Sequence, residues 1–148
     1  MAFRSILVPV DYSEPSRRAL ELALSLADTA DVTVVHVWER PSYVGDEMVA
    51  HPDGSRRSLS ELIRENAERE MSDFLAQVQA PAGKAFNHHL VSGEPVTAII
   101  AEASKPGYDL LVVGTHGRTG VTKLLLGSVT EKLIRLSPIP VLTVPPAR

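Results

Sequence analysis

Cysteine is absent from the 148-residue sequence, which excludes a disulfide framework and a thiolate metal site. Aromatic residues contribute only 5%, and the net charge is −3 with scattered basic residues, so neither a base-stacking platform nor a cationic face for nucleic acid is expected. Every apolar run is far shorter than the roughly 20 residues that cross a bilayer. The first run is also interrupted by Pro9 and Asp11, unlike a signal peptide. We therefore expect a cytoplasmic protein with no nucleic-acid partner and no membrane partner.

Apolar side chains (44%) and charged side chains (22%) are balanced as in globular proteins, and the length suits a single domain over residues 1–148. Short apolar runs alternate with amphipathic segments, which predicts strands that alternate with helices. The alternation implies right-handed crossovers and an α/β fold, a three-layer α/β/α sandwich around a five-stranded, mostly parallel, doubly wound sheet. The expected strands cover residues 6–10, 32–38, 86–91, 109–113 and 139–144.

Local signals mark where the helices begin. Ser13 is a candidate N-cap, and Pro15 suits the first turn of the helix that follows it. The capping box Ser58-x-x-Glu61 starts a long amphipathic helix, and further helices are expected over residues 96–104 and 128–136. Residues 39–57 contain proline and glycine without any period, which predicts a long surface loop.

The segment after the fourth strand has the features of an anion-binding connection. Open parallel sheets bind ligands at the carboxyl ends of their strands, near the point where the strand order reverses. Gly114, Gly117 and Gly127 allow backbone N–H groups to approach a ligand, and a helix N-terminus at Gly127-Ser128 attracts anions. The alternative is structural, because Ser128-x-x-Glu131 is itself a capping box in which Ser128 only caps the helix.

The sequence has neither a P-loop nor a G-x-G-x-x-G turn, but it resembles the ATP-binding universal stress proteins. Its Gly114-x2-Gly117-x9-Gly127-Ser128 spacing is similar to the phosphate-binding pattern of that family. The resemblance covers the whole chain, with matching segments at 6–11, 35–37, 93–95 and 138–144. It implies an adenine nucleotide alpha hydrolase-like, Rossmann-like fold with ATP as the ligand and any Mg²⁺ carried by the ATP phosphates.

The resemblance also implies roles for matching positions. Asp11 would face the adenosine, and the main chain of Val37 would meet the adenine. Gly117, Gly127 and Ser128 would hold the phosphates through backbone N–H groups and the Ser128 hydroxyl. The full set of expected ATP-binding residues is Pro9, Val10, Asp11, Val37, Val113, Gly114, His116, Gly117, Arg118, Gly127, Ser128, Val129 and Thr130.

Several of these positions keep a second interpretation. Asp11 also suits an Asx turn with Ser13 at the start of a helix. Arg118 offers a bidentate contact to phosphate, but Arg118 and Lys123 equally suit solvated loop positions. His36 lies on a buried strand among apolar neighbours, so we expect a hydrogen-bonded core histidine.

The sequence predicts no catalytic residue and no metal site. His88 and His89 point to opposite faces of a strand, and no cluster of side chains has convincing ligand spacing. The phosphate site also lacks the lysine and arginine-finger groups of committed phosphotransferases. Whether the protein is an enzyme stays open, and any ATP hydrolysis or autophosphorylation is expected to be slow.

The function implied by the resemblance is that of a nucleotide-dependent regulator or sensor in the stress response. The alternatives are an ATP hydrolase or phosphotransferase of the same fold, and an interaction module that binds no nucleotide. Pro138 and Pro140 place the last strand at a sheet edge, where an apolar strand invites pairing with another chain. The resemblance likewise implies a homodimer through this strand, which begins at Ile139 and ends at Val144.

Overall fold

The computed structural model describes residues 2–39, 45, 47–116 and 126–147. Its main sheet consists of β1 (Ser5–Pro9), β2 (Asp31–Trp38), β5 (Asn87–Ser92), β6 (Leu110–Gly114) and β7 (Val141–Val144). A separate two-stranded sheet contains β3 (Met48–Ala50) and β4 (Arg56–Ser58). The helices of this part of the chain are α1 (Glu14–Leu26), α2 (Leu59–Leu75), α3 (Pro95–Ala103) and α4 (Ser128–Leu136). Among the described residues, no helix is both long and apolar enough to span a membrane.

The main sheet has five strands in the order β5-β2-β1-β6-β7, and every neighbouring pair is parallel. The predicted α/β fold with a doubly wound sheet is confirmed. From β1 the chain moves outward to β2 and β5, and then crosses back to β6 and β7 on the other side of β1. The strand order therefore reverses between β1 and β6, which is where open sheets of this kind bind ligands.

Helices cover both faces of this sheet because its central strands are apolar on both sides. α1 and α2 pack on one face in a cluster that includes Leu20, Leu24 and Met71. α3 and α4 pack on the other face through Ile99 and Leu133, among others. The result is the three-layer α/β/α sandwich that the alternating pattern predicted.

The last strand is shorter than predicted. It begins at Val141 rather than Ile139, because the Ser137 hydroxyl donates to the Ile139 carbonyl at 2.7 Å and Pro140 has no N–H for a ladder. β7 lies at one edge of the described sheet, as its prolines predicted.

The prediction of a loop throughout residues 39–57 is wrong for its second half. β3 and β4 pair as an antiparallel hairpin, joined by a turn in which the His51 N–H donates to the Ser55 carbonyl at 2.8 Å. Gly54 in this turn has a φ of +87°. Each strand has only three residues, too few to show the alternation by which strands are recognised. The available signal was the Pro-Asp-Gly turn sequence at 52–54.

Candidate functional site

A cleft of about 190 Å³ lies at the carboxyl ends of β1, β2 and β6, and α3 and α4 form its other side. Asp11 is the one carboxylate that lines it, and no lysine or arginine is among the described lining residues. Backbone N–H groups of the described residues are therefore candidate partners for an anionic ligand in this part of the cleft. The lining residues are Pro9, Val10, Asp11, Ser16, His36, Val37, Pro95, Ile99, Val113, Gly114, His116, Gly127, Val129, Thr130 and Leu133.

α4 begins at this cleft without a side-chain cap. Side chains accept hydrogen bonds from the first turns of α1, α2 and α3. At α4 the N-cap is Gly127, and no side chain of the described residues caps the helix. The first turn of a helix carries N–H groups without intrahelical acceptors, together with the positive end of the helix dipole. Because Gly127, Val129 and Thr130 line the cleft, this turn brings anion-attracting backbone groups to it.

The capping box at Ser128, which was the structural alternative for this position, is not formed. The Glu131 N–H donates to the Gly127 carbonyl at 3.0 Å, an ordinary helical bond. Ser128 is therefore the first helical residue rather than the N-cap, and it is exposed without lining the cleft. The expected contact of its hydroxyl with a phosphate stays a prediction.

Hydrogen bonds fix both ends of the segment that connects β6 to α4. The Gly127 N–H donates to the Thr115 carbonyl at 2.8 Å, and the Thr115 N–H donates to the Val144 carbonyl at 3.0 Å. The Thr130 hydroxyl donates to the Gly114 carbonyl at 2.7 Å. The chain thus leaves β6 and enters α4 at one place, and the first turn of α4 is held against the end of β6.

Gly114 has a packing role in addition to its place in the cleft. A Cβ at this position would lie 3.0 Å from the backbone carbon and oxygen of Pro15 and 3.1 Å from its Cβ. Glycine therefore allows the end of β6 to approach the first turn of α1. Neither Gly114 nor Gly127 has a positive φ, so the freedom to adopt that conformation does not explain either glycine.

Asp11 connects the cleft to the start of α1. Its Oδ1 accepts the Ser13 N–H at 3.0 Å and also a hydrogen bond from the Ser13 hydroxyl. The Asx turn that the sequence allowed is therefore present, and Asp11 lines the cleft as well. A carboxylate has two acceptor oxygens, so this turn and a hydrogen bond to a ligand are compatible.

His36 lies next to Asp11 at the cleft. Its Nδ1 is 2.7 Å from the Val10 carbonyl, which confirms the predicted hydrogen bond. The prediction of a core position is wrong, because His36 is half-buried and lines the cleft at the end of β2. Because a carbonyl can only accept, Nδ1 carries the hydrogen. The Tyr12 ring stacks on the imidazole with ring centroids 4.1 Å apart. Tyr12 has a φ of +66°, a left-handed conformation that costs a non-glycine residue roughly 1–2 kcal/mol.

Glu94 caps α3 at the same end of the sheet. Its carboxylate accepts the N–H groups of Val96 and Thr97 at 3.1 and 2.8 Å. The hydrogen bond from the Thr97 N–H, aided by the Thr97 hydroxyl, the Val96 N–H and the charge of Lys132, holds the pKa of Glu94 below its usual value. The first-turn N–H groups of α3 are thus capped by a side chain, whereas no side chain of the described residues caps those of α4. Within the described ranges, no group of three His, Cys, Asp or Glu side chains is placed to hold a metal ion.

Most of the residues predicted from the sequence lie together at the cleft. Ser128 stands at the start of α4 but does not line it, and Gly117, Arg118 and Lys123 lie outside the described residues. Their contacts with a nucleotide remain predictions. Those that line the cleft are Pro9, Val10, Asp11, Val37, Val113, Gly114, His116, Gly127, Val129 and Thr130.

Sequence reasoning predicted Val129 and Thr130 of α4 but missed the rest of the wall that α3 and α4 contribute, together with Ser16 and His36. Pro95, Ile99 and Leu133 line this wall. Apolar residues at helical spacing normally indicate core packing, and Ile99 and Leu133 do belong to the core. The available signal was Pro95, because it begins a helix directly after a strand and therefore lies at the carboxyl end of the sheet.

Comparisons with known sequences give one family. The model of the universal stress protein family matches residues 2–145. The universal stress protein in the QAH/OAS sulfhydrylase 3′ region of Thermus aquaticus is 33% identical over 145 residues, covering 96% of this chain and 98% of the relative. Universal stress protein MJ0531 of Methanocaldococcus jannaschii is 31% identical over 144 residues, covering 96% and 82%.

Solved structures with the same fold include those of MJ0577 and of a universal stress protein bound to cAMP. The structure of MJ0577 has a TM-score of 0.76 at 25% identity, covering 100% of this chain and 99% of that one. A curated relative of that name, from Methanocaldococcus jannaschii, is a universal stress protein. A universal stress protein in complex with cAMP has a TM-score of 0.60 at 27% identity, covering 97% and 98%.

Proposed function

This chain belongs to the universal stress protein family, and on that premise we propose that it binds ATP in the cleft between β1 and β6. We further propose that it acts as a nucleotide-dependent regulator or sensor in the stress response, in the cytoplasm. The observation that carries the proposal is the start of α4 at the cleft, where no side chain of the described residues caps the backbone N–H groups. Such groups bind phosphate through hydrogen bonds and the helix dipole together.

The rest of the cleft suits an adenosine. Val37 and Val113 at the strand ends and Ile99 of α3 offer apolar surfaces to a base. Asp11 offers a carboxylate oxygen to a ribose hydroxyl at the same end of the sheet. The phosphates would then point toward Gly127 and the first turn of α4.

The relative that was solved with cAMP supports an adenine nucleotide in this fold. The choice of ATP among adenine nucleotides is the finer part of the proposal. It rests on the family resemblance at Gly114, Gly117, Gly127 and Ser128. No catalytic residue is assigned.

Calorimetric titration with ATP, AMP and cAMP tests this proposal. We expect ATP to bind about 10-fold more tightly than AMP, because its additional phosphates meet further charge-assisted hydrogen bonds. Mass analysis of the nucleotide that co-purifies with the protein identifies the resident ligand. Absence of binding for all three nucleotides would contradict the proposed function.

Two substitutions at Gly127 form a matched pair for this titration. Gly127→Val and Gly127→Ala share the loss of a favourable N-cap residue, which costs each about 0.5–1 kcal/mol of stability. The φ of −60° at Gly127 accepts both side chains without strain. Valine places more carbon in the cleft, so we expect ATP affinity to fall from glycine to alanine to valine. Equal affinity in the two folded variants would argue against phosphate binding at α4.

We also propose a homodimer through β7. The carbonyl of Pro140 accepts the N–H of Leu111 in β6 at 2.9 Å, and the carbonyl of Val144 accepts the N–H of Thr115, just after β6, at 3.0 Å. By alternation, Thr143 directs its N–H and carbonyl away from β6, toward the open edge of the described sheet. An apolar edge of this kind pairs readily with a second copy.

Thr143→Pro tests the dimer without breaking the β6–β7 ladder, since it removes only an outward N–H. Light scattering during size-exclusion chromatography is expected to show a dimer for the wild type and a monomer for the variant. Leu142→Pro is the control for strand damage, because it removes an inward N–H and is expected to unfold the edge. A monomeric wild type would contradict the proposed dimer and leave the nucleotide proposal unaffected.

A further inference from the structure

Val10 and Tyr12, the residues on either side of Asp11 in sequence, both contact the side chain of His36 in β2. His36 donates its Nδ1–H to the Val10 carbonyl at 2.7 Å. The same imidazole stacks on the Tyr12 ring at a centroid distance of 4.1 Å and an interplanar angle of 27°. His36 therefore fixes the backbone immediately before and immediately after Asp11.

The conformation of Tyr12 depends on these contacts. Its φ of +66° accompanies a ring that packs against the apolar cluster under α2, while Asp11 lines the cleft. A left-handed backbone at a residue other than glycine persists only where the surroundings hold it. The surroundings include His36 on one side and Phe74 of α2 on the other, with ring centroids of Tyr12 and Phe74 5.3 Å apart. The Tyr12 hydroxyl also donates to the Ala67 carbonyl of α2 at 3.5 Å.

Other contacts of this turn tie Asp11 to α1, whereas His36 ties its neighbours to β2. The Asp11 N–H donates to the Ser16 hydroxyl oxygen at 3.3 Å. The Asx turn with Ser13 fixes the Asp11 carboxylate relative to α1. The Val10 N–H donates to the Val35 carbonyl at 2.8 Å and ties the chain before Asp11 to β2. The stack of His36 on Tyr12 extends this attachment to β2 beyond Asp11.

We propose that His36 is a positioning residue of the nucleotide cleft, which sets the placement of Asp11 by holding Val10 and Tyr12 and thereby sets nucleotide affinity. The inference rests on the proposed function, because Asp11 is the ligand-facing group through which His36 acts. No nucleotide contact of His36 itself is required.

Titration of the full chain with ATP tests the inference in a double-mutant cycle. His36→Leu removes the hydrogen bond and the stack, and is expected to weaken ATP binding about 10-fold, a size typical of coupled neighbours. His36→Phe keeps a ring against Tyr12 and is expected to recover part of the loss. In an Asp11→Ala background, His36→Leu is expected to have no further effect. An equal loss in both backgrounds would overturn the inference, since His36 would then act independently of Asp11.

Amide hydrogen exchange of the nucleotide-free protein supplies a second test. The Ser13 N–H is bonded to Asp11, so its exchange is expected to be about 10-fold faster in His36→Leu, where the turn opens more often. Tyr12→Phe keeps the ring but loses the hydrogen bond from the Tyr12 hydroxyl to the Ala67 carbonyl, and is expected to change this exchange less than His36→Leu does. Unaltered exchange in His36→Leu would overturn the inference. If the Ser13 N–H exchanges faster in His36→Leu than in the wild type, but the wild type binds no adenine nucleotide, only the proposed function is contradicted.

Discussion

The two ends of the central sheet carry their polar groups in different arrangements. At the carboxyl ends, Asp11 and the first turn of α4 border an open cleft. At the amino ends, Asp109 accepts the backbone N–H groups of Arg4 and Ser5 at 2.8 and 3.0 Å, which joins the start of β6 to the start of β1. Asp109 at the amino ends is therefore bonded to the backbone of β1, whereas Asp11 and the first turn of α4 at the carboxyl ends border space for a ligand.

Glu102 is the clearest example at the amino ends. It lies in the last turn of α3, is only 4% exposed, and accepts hydrogen bonds from Lys105 at 2.6 Å and Tyr108 at 3.3 Å. His89 Nε2 lies 3.1 Å from the same carboxylate. Burial raises the pKa of Glu102, but the Lys105 hydrogen bond and the His89 charge outweigh burial and hold this pKa below its usual value. The comparison predicts that changes here alter stability, and that changes at the cleft alter nucleotide affinity.

Gly127→Asp is expected to have the largest effect, and it is expected to change nucleotide affinity and stability in opposite directions. A carboxylate about 4 Å from a phosphate opposes binding by a few kcal/mol at an effective dielectric constant of about 20, so ATP affinity is expected to fall on the order of 100-fold. The same side chain caps α4, which is expected to raise the free energy of unfolding by about 0.3–1 kcal/mol. Calorimetry and urea unfolding measure the two effects.

Gly127→Asn is the control for charge, because asparagine caps a helix as well as aspartate does. We expect it to weaken ATP binding less than Gly127→Asp while stabilising the free protein to a similar extent. If both variants weaken binding equally, repulsion of a phosphate is not the cause. That result would contradict the assignment of nucleotide binding to the carboxyl ends of the sheet.

Glu102→Gln is expected to have an intermediate effect, confined to stability. The amide keeps the shape of the side chain but loses charge-assisted hydrogen bonds, which costs about 1–3 kcal/mol in urea unfolding at neutral pH. Glu68→Gln is the matched control, since Glu68 pairs with Arg64 on the exposed surface of α2 at 3.4 Å and contributes about 0.5 kcal/mol or less. A change in ATP affinity in Glu102→Gln would show that the two ends are coupled.

Asp109→Asn is expected to have the smallest effect, and one that depends on pH. The hydrogen bond from the Arg4 N–H is the main reason that the pKa of Asp109 lies below its usual value, and the Ser5 N–H and the Arg4 charge add to it. A lowered folded-state pKa stabilises the protein above the unfolded-state pKa of about 3.9, and this stabilisation is lost as pH falls through the folded-state pKa. Unfolding measurements between pH 2 and pH 7 are expected to show the difference from Asp109→Asn shrinking at low pH. A constant difference would contradict the assignment.

Local patterns predicted the elements of the fold because each pattern has a direct physical cause. Ser58 and Glu61 form the predicted capping box, and Ser13 caps α1 as expected. The hairpin of β3 and β4 was missed because the six residues of its strands, three in each, are too few to show a period. Patterns over longer segments, such as the helical spacing in α2, average out such local ambiguity.

The candidate site was less predictable, because contacts distant in sequence determine it. Glycine and serine are both favoured N-caps, so the sequence at 127–128 left the start of α4 open. The choice depends on the hydrogen bond between Gly127 and Thr115, which are 12 positions apart. Likewise, the need for glycine at position 114 arises from Pro15, on a different element. Neither contact has a signal in the local pattern of residues.

The hydrogen bond from the Gly127 N–H to the Thr115 carbonyl also makes the connection between them a natural site for protein engineering. It joins Thr115 and Gly127 through backbone atoms alone, so the side chains between them in sequence are not needed for this contact. Loop closure costs only about 0.6 kcal/mol for each doubling of length. We therefore expect a peptide exchanged at this position, such as a reporter or an alternative anion-binding sequence, to be tolerated as a cassette.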